Sequence, residues 1–349
     1  MQQRATMRLA ALGLAVAVTG TACSGPNGST EAGSAAGAGA HGGKITIGFS
    51  QRRLAGSDWW ATLLKGAKDK AAQMGAEVIV TDAGGDTVKQ NSDVQTLLTK
   101  GADAVILNPQ DPTGVAPAVA ATKQAGIPLV VVNGNLSDEL AKQQFCYVAE
   151  NQPEVAARMG AAVAKLAKTK FAGQKSVKAV VIGGYSGETI TEQRGQGVVD
   201  GYASVQGAPA IQYLPVRYGE WLPDRALPPM RDIATANPDL DIVFSLSDVM
   251  LPGIEQGLKD AGILDKVVIG TYDGQMAVLK KMIDDPKGPV QADASNEPYQ
   301  QGQIAVEKAI DAARGKTQDQ VCPGGTHWID TFLATPATAS DFYDPARTF

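Results

Sequence analysis

Residues 101–133 read GADAVILNPQDPTGVAPAVAATKQAGIPLVVVN, and they hold two apolar runs separated by a helical pattern. The runs Ala104–Leu107 and Leu129–Val132 are short and continuous, and residues 112–125 between them predict a helix. Apolar runs joined by a helix are typical of parallel strands that are buried on both faces. We therefore predict an α/β protein built on parallel sheets.

The same alternation of strand and helix extends to both sides of this stretch and then restarts. Further strands are predicted at residues 45–49, 77–81, 179–182, 210–215, 242–246 and 267–271. Further helices are predicted at residues 60–74, 88–100, 154–169, 191–204, 227–236, 252–261, 276–284 and 300–314. Two doubly wound units of similar size are therefore expected.

Two such units facing each other form a cleft that closes around a ligand by a hinge motion. Ligands of open α/β sheets bind beyond the carboxyl ends of the strands. Polar residues that follow the predicted strands are therefore the first candidates for ligand contact. They are Gln51, Asp82, Asn108, Asn133, Gly183, Ser247 and Asp273.

The N-terminus has the pattern of an export signal. Arg4 and Arg8 precede an apolar run at residues 9–18, and small residues lead to Cys23. The run is too short to cross ~30 Å of hydrocarbon. The pattern resembles a bacterial lipobox, in which Cys23 is lipidated, although Gly20 stands where leucine is usual. An ordinary signal peptide cut just before an incidental cysteine is the alternative.

Residues 1–23 are thus predicted to be a lipoprotein signal peptide with its lipobox. Residues 24–43 consist almost entirely of Gly, Ala, Ser, Pro, Asn and Thr. Such a segment buries too little apolar area to order itself, so it predicts a flexible tether. A lipid followed by a tether places the globular body at the outer face of the cell membrane or in the periplasm.

Composition excludes several classes of function. The 349 residues are 44% hydrophobic and 19% charged, which is typical of a globular protein with about two domains. The net charge of −5 argues against nucleic acid as a partner, since phosphate binding needs a basic face. The chain has two histidines and three cysteines, too few for us to predict a metal site, a cofactor or a histidine-based catalytic site.

Several short motifs occur along the body in a characteristic order. They are Ser57-Asp58-Trp59-Trp60, Gly101-Ala102-Asp103-Ala104, Asn108-Pro109, Ala125-Gly126-Ile127-Pro128, Gln193-Arg194-Gly195, Asn237-Pro238-Asp239, Ser247-Asp248, Gly257-Leu258 and Tyr272-Asp273-Gly274. In this order and spacing they resemble periplasmic sugar-binding proteins of the ribose and galactose type. The resemblance runs over about residues 44–335.

This resemblance implies the type I periplasmic-binding-protein fold, with two doubly wound parallel-sheet lobes joined by a three-segment hinge. The N-terminal lobe is then expected to comprise residues 44–150 plus 297–321. The C-terminal lobe is expected to comprise residues 151–296 plus 322–349.

The resemblance also implies the residues that contact the ligand. Trp59 and Trp60 take the place of aromatic residues after the first strand, and Trp221 takes the place of the second lobe's aromatic residue. Indole rings stack on the apolar C–H faces of sugars and polyols. The implied polar contacts are Ser57, Asn133, Arg194, Ser247, Asp273 and Asn296. The alternatives are a buried helix start for the tryptophans and capping or turn formation for the polar residues.

Glu192 is the main departure from the family pattern. It stands where these sugar binders usually have a ligand-contacting arginine, two residues before Arg194. An anion in a dehydrated cleft needs a partner charge, and Arg53 or a ligand amine are candidates. Plain ribose is therefore not expected, whereas a polyol, a cyclitol, an amino sugar and a substituted sugar stay open. Glu192 pointing into solvent is the alternative.

The family topology brings Cys146 and Cys322 close together. In an exported protein this pair predicts a disulfide, with two free buried thiols as the alternative.

The predicted function is capture of a sugar, polyol or cyclitol for an ABC permease with its ATPase. The protein is expected to be a monomer that touches the membrane only through its lipid. Two alternatives stay open: a sensing protein that presents its ligand to a membrane receptor, and an exported glycoside-processing enzyme. The enzyme alternative is permissible because Glu192 and Asp273 could face one cleft as paired carboxylates.

Overall fold

The computed structural model describes residues 43–347 and residue 349. The predicted signal peptide, Cys23 and all of the predicted tether except its last residue lie outside this range. Among the helices in the described part of the chain, we find none that is both long and apolar enough to cross a bilayer.

The described chain alternates between strands and helices throughout. The strands are β1 (Thr46–Gln51), β2 (Glu77–Asp82), β3 (Ala104–Leu107), β4 (Leu129–Val132), β5 (Cys146–Ala149), β6 (Ser176–Gly183), β7 (Ala210–Tyr213), β8 (Arg217–Tyr218), β9 (Ile242–Ser245), β10 (Val268–Asp273), β11 (Val290–Ser295), β12 (Thr326–Trp328) and β13 (Leu333–Ala334). The helices are α1 (Asp58–Gln73), α2 (Thr87–Thr99), α3 (Ala116–Gln124), α4 (Asp138–Ala141), α5 (Gln152–Lys170), α6 (Thr189–Ala203), α7 (Pro223–Ala236), α8 (Leu251–Asp260), α9 (Met276–Asp284), α10 (Pro298–Ala313), α11 (Gln318–Val321) and α12 (Ala339–Phe342).

The strands form two sheets, one in each lobe. The first sheet is parallel throughout, in the order β12-β5-β4-β3-β1-β2. The second has the order β13-β11-β10-β9-β6-β7, with β8 paired to β6. Its strand pairs are parallel except that β13 runs antiparallel to β11. The predicted fold of two parallel-sheet lobes is confirmed.

Each sheet is buried on both faces, which explains the continuous apolar runs in its central strands. In β3, Ala104 and Ile106 contact the core that includes α1 and α10. Val105 and Leu107 face the opposite way, into the core beneath α2 and α3. Successive side chains of a strand point to opposite faces, so each of these residues must be apolar.

The chain passes between the lobes at three places. The first crossing joins β5 to α5, the second joins β11 to α10, and the third joins β12 to β13. The prediction that residues 322–349 all belong to the second lobe is wrong at both ends. Thr326–Trp328 pairs with β5 in the first sheet, and Phe349 is buried in the first lobe's core.

A disulfide between Cys146 and Cys322 explains why β12 joins the first sheet. The Cα atoms of the two cysteines are 5.8 Å apart. Cys146 begins β5, and Cys322 directly follows α11. The bond therefore fixes the returning chain beside the edge of β5, where residues 326–328 add a strand.

Candidate ligand-binding site

A cavity lies between the lobes at the ends of the strands, and its empty volume is about 370 Å³ when the space open to solvent is included. Every aromatic and polar contact that the family resemblance implied lines it. Glu192 does not line it, and neither do the strand-end candidates Gln51, Asp82, Asn108 and Gly183. The lining residues are Arg52, Ser57, Trp59, Trp60, Asn133, Ile190, Arg194, Trp221, Ser247, Val249, Asp273 and Asn296.

Three tryptophans form the apolar walls of the cavity. Trp59 and Trp60 lie in the first turn of α1, where the Ser57 side chain caps the helix by accepting from the Trp59 amide at 3.2 Å. Trp221 comes from the second lobe and contacts the cores of both lobes. It fits only because residue 184 is glycine, since a β-carbon there would overlap the indole. Both lobes therefore present flat aromatic surfaces to a ligand.

Asp273 forms the polar floor and is 2% exposed. Its Oδ2 accepts from Ser247 Oγ at 2.5 Å and from the Asp248 amide at 3.2 Å. Its Oδ1 lies 3.4 Å from Arg194 Nη1 and 3.5 Å from Asn296 Nδ2. Burial raises the pKa of Asp273, and the Arg194 guanidinium opposes that rise. Ser247 thus positions the carboxylate in addition to lining the cavity.

Arg194 is held rigidly beside Asp273. Its Nε donates to Gln152 Oε1 at 2.7 Å, and its Nη1 donates to the Leu246 carbonyl at 2.7 Å. The guanidinium lies 3.8 Å from the centroid of the Tyr272 ring. A side chain fixed from several directions presents its remaining donors in one orientation, which favours selective binding.

The prediction that Glu192 faces the cleft is wrong. Glu192 is exposed on α6, while Arg194 on the same helix is buried. Residues two positions apart on a helix are separated by about 200°, so they cannot face the same way. Arg53 forms no salt bridge with Glu192, and its guanidinium lies 5.8 Å from the Trp60 ring centroid.

An ion pair that was not predicted from the sequence joins the two lobes. Arg52 Nη1 lies 2.8 Å from Glu188 Oε1. The other carboxylate oxygen of Glu188 accepts from Trp221 Nε1 at 2.8 Å and from Thr191 Oγ1 at 3.1 Å. Two sequence features could have pointed to this pair: Arg52 directly follows β1, and Glu188 directly precedes α6. Gln51, the candidate at the end of β1, is instead fully buried.

The cavity concentrates backbone strain. Asn133, Trp221 and Asp273 have φ values of 59°, 59° and 134°, in a region that non-glycine residues rarely adopt. Tertiary contacts hold them there: the Asn133 amide donates to the Val148 carbonyl at 3.0 Å. Strained residues cluster at functional sites, which supports this cavity as the binding site.

Two further carboxyl groups are buried behind Asp273. Asp248 accepts from Thr271 Oγ1 at 2.6 Å and from the Gln275 amide at 2.8 Å. Burial, with the nearby Asp273 charge, raises the pKa of Asp248 to about 8. Burial and the Asp248 charge raise the pKa of Asp293 well above its usual value. Within residues 43–347 and 349, no cluster of acids, histidines or cysteines is suited to a metal ion.

Replacing Asp293 by asparagine is therefore expected to stabilise the protein at neutral pH. A carboxyl whose folded pKa is raised destabilises the fold increasingly as the pH rises from its unfolded pKa to its folded pKa. Asparagine removes that penalty and keeps an oxygen for the Gly274 amide, which donates to Asp293 at 3.0 Å. We expect a gain on the order of 1 kcal/mol at pH 7.5 and a smaller gain at pH 5. Urea denaturation at both pH values measures it, and an equal change at both would contradict the buried-acid explanation.

The fold and the cavity define a two-lobed binding protein that encloses a small ligand. Residues 47–317 match the family model of the periplasmic binding protein domain. A solved structure of an ABC transporter solute binding protein from Mycobacterium smegmatis, with bound glycerol, is 30% identical with a TM-score of 0.77. The match covers 88% of this chain and 99% of that chain. The chain therefore belongs to the periplasmic binding protein domain family, among the solute-binding proteins of ABC transporters.

Two curated relatives are similar at the level of sequence. The ribose import binding protein RbsB of Bacillus subtilis is 28% identical over 273 residues, covering 78% of this chain and 83% of that protein. A xylitol-binding protein of Mycolicibacterium smegmatis is 30% identical over 196 residues, covering 56% of this chain and 52% of that protein.

Proposed function

We propose that this chain captures a sugar, polyol or cyclitol between its lobes and delivers it to an ABC importer. The proposal rests mainly on the residues that line the cavity, which include three tryptophans and the buried carboxylate of Asp273. Ligands that fit this surface have apolar C–H faces and a rim of hydroxyl groups. The ribose, xylitol and glycerol named for the relatives share that chemistry.

We assign the polar contacts to the residues that face the tryptophans. Carboxylates and planar amides can each engage two neighbouring hydroxyl groups, which suits Asp273, Asn133 and Asn296. Arg194 supplies donors beside them. Asn296 lies at the second crossing, and its Oδ1 accepts from Gln301 Nε2 at 2.5 Å. A ligand bound there contacts the hinge directly, which favours closure of the lobes around it.

The proposed mechanism is closure without chemistry. The ligand docks on one lobe, the lobes close, and the closed form is recognised by the permease. The alternative of a glycoside-processing enzyme rested on Glu192 and Asp273 as a pair of carboxylates in one cleft. Glu192 is exposed and does not line the cavity, so that alternative lacks its second carboxylate.

Membrane attachment is part of the proposal. We propose that the protein is exported, lipidated at Cys23 and held as a monomer at the outer face of the membrane. Metabolic labelling with an alkynyl fatty acid tests this: the label is expected on the protein and is lost in Cys23→Ala. Equal labelling of the variant would overturn lipidation at this residue.

A thermal-shift screen tests the ligand class. The exported Cys23→Ala protein is heated with D-ribose, xylitol, myo-inositol, D-allose, D-glucosamine and glycerol. A ligand that binds only the folded state adds ~2.7 kcal/mol at 100 times its dissociation constant, which is a shift of several degrees. A shift with at least one of these compounds is expected. An unchanged midpoint with every polyhydroxylated compound would contradict the proposal.

A further inference from the structure

The ion pair between Arg52 and Glu188 connects the lobes beside the cavity. Arg52 follows β1 of the first sheet, and Glu188 precedes α6, which packs on the second sheet. The side chains of Arg52 and Glu188 are 4% and 9% exposed. Arg52 also donates from Nε to Gln110 Oε1 at 3.2 Å. This pair is therefore desolvated, and each charge depends on the other.

One guanidinium nitrogen of Arg52, which carries two N–H groups, is left without a partner within the described chain. Arg52 lines the cavity, yet its Nη2 has no hydrogen-bond partner among these residues. Trp59 Nε1, on the same lobe, is also buried without a partner. Buried donors are nearly always satisfied in folded proteins. Arg52 and Trp59 both line the cavity, so these donors are available to oxygen acceptors of a bound molecule.

The charges around the cavity cancel in pairs. The lining contains two cations, Arg52 and Arg194, and one anion, Asp273. Asp273 lies beside Arg194 at 3.4 Å, and Glu188 balances Arg52 at 2.8 Å. A ligand that carries a net charge would add an uncompensated charge to this desolvated space, at a large cost in free energy.

We propose that the Arg52–Glu188 pair selects uncharged ligands, with Arg52 Nη2 donating to a ligand oxygen while Glu188 cancels the charge of the guanidinium. This inference rests on the proposed function and goes beyond it, since it excludes sugar acids and amino sugars as preferred ligands. Arg52 is the ligand-contacting member. Glu188 is a positioning residue, which acts through Arg52 and through the indole of Trp221.

The test compares three six-carbon compounds that differ at one end: D-glucitol, D-gluconate and D-glucamine. Calorimetric titration measures their affinities for the wild type, Glu188→Gln, Arg52→Gln and the double variant. The amide in Glu188→Gln keeps an oxygen for the Trp221 N–H. Removing one partner leaves the other charge unpaired, so we expect Glu188→Gln to shift preference about tenfold toward gluconate. We expect Arg52→Gln to shift preference about tenfold toward glucamine, and the double variant to prefer glucitol again.

The matched control is Glu192→Gln, because Glu192 lies in the first turn of α6, close to Glu188 in the chain, and is exposed. This control is expected to change the order of the three affinities less than about twofold. A merely structural pair would weaken all three compounds by the same factor. Equal weakening in Glu188→Gln and Arg52→Gln would therefore overturn the inference.

If the wild type binds none of these three compounds and none of the compounds in the ligand screen, the proposed function is contradicted. That outcome is distinct from a failure of the inference about the ion pair. The pair is then tested without ligand, by thermal unfolding of the same variants. If the charges compensate each other, the double variant unfolds at a higher temperature than either single variant. A double variant whose loss equals the sum of the two single losses would overturn the pairing on which the inference depends.

Discussion

Replacing Asp273 by asparagine is expected to weaken ligand binding by about a hundredfold, or about 2.7 kcal/mol. Hydrogen bonds to a charged group contribute about 1.5–3 kcal/mol, more than those between neutral groups. The change also leaves the Arg194 guanidinium, which is buried, without its carboxylate partner. Isothermal titration calorimetry with the compound identified by the ligand screen measures this loss directly.

The control for Asp273→Asn is Asp260→Asn, because Asp260 is an exposed acid on α8 of the same lobe. That variant is expected to bind as the wild type does. Ser247→Ala should give an intermediate loss, since it removes the hydrogen bond at 2.5 Å to Asp273 Oδ2 but leaves the carboxylate in place. An unchanged affinity in Asp273→Asn, with the variant folded, would show that the ligand binds elsewhere.

The central strands were predictable because burial on both faces forces them to be apolar. Leu129–Val132 is fully buried and reads LVVV, which the apolar pattern alone identifies. The strands beside the hinge lack such a run and were missed. Val290–Ser295 reads VQADAS, and Thr326–Trp328 reads THW. These strands lead into the crossings and the cavity and carry polar residues there. The polar residues interrupt the continuous apolar run by which a buried strand is recognised.

Most of the cavity was predictable because ligand contacts lie at strand ends and helix starts. Asn133 and Asp273 fall directly after β4 and at the end of β10, where the topology of a parallel sheet requires the site. Glu192 was predicted at the cleft from the family pattern, but helix periodicity separates it from Arg194, which is buried, by about 200°. That geometric test needs only the sequence.

The Arg52–Glu188 pair was beyond the reach of sequence patterns. The two residues are separated by 136 positions, and they belong to different lobes. Only the angle between the lobes brings the guanidinium to the carboxylate. Local periodicity fixes which face a side chain occupies within one element, but it carries no information on how two separately folded sheets meet.

Removing the disulfide is expected to produce the largest loss of stability among the changes considered. Cys146 and Cys322 are separated by 176 residues and are almost fully buried. The chain-entropy model gives a stabilisation of about 5 kcal/mol for a loop of this length. The expected result for Cys146→Ala/Cys322→Ala is a loss of about 2–5 kcal/mol in the free energy of unfolding. Guanidinium denaturation in a Cys23→Ala background measures this change.

A matched control distinguishes the effect of losing the disulfide bond from the effect of losing the two sulfur atoms. Wild type that is unfolded with reductant and refolded with its thiols blocked by a small methylating reagent lacks the bond but keeps both sulfur atoms. It should lose nearly as much stability as the alanine variant, and an unchanged midpoint would show that the bond contributes nothing. Ligand affinity is expected to change less than about twofold in both proteins. The reason is that Cys146 lies at the start of β5, whereas the first crossing between the lobes follows the end of β5. A large loss of affinity would instead mean that the bond also sets the hinge angle.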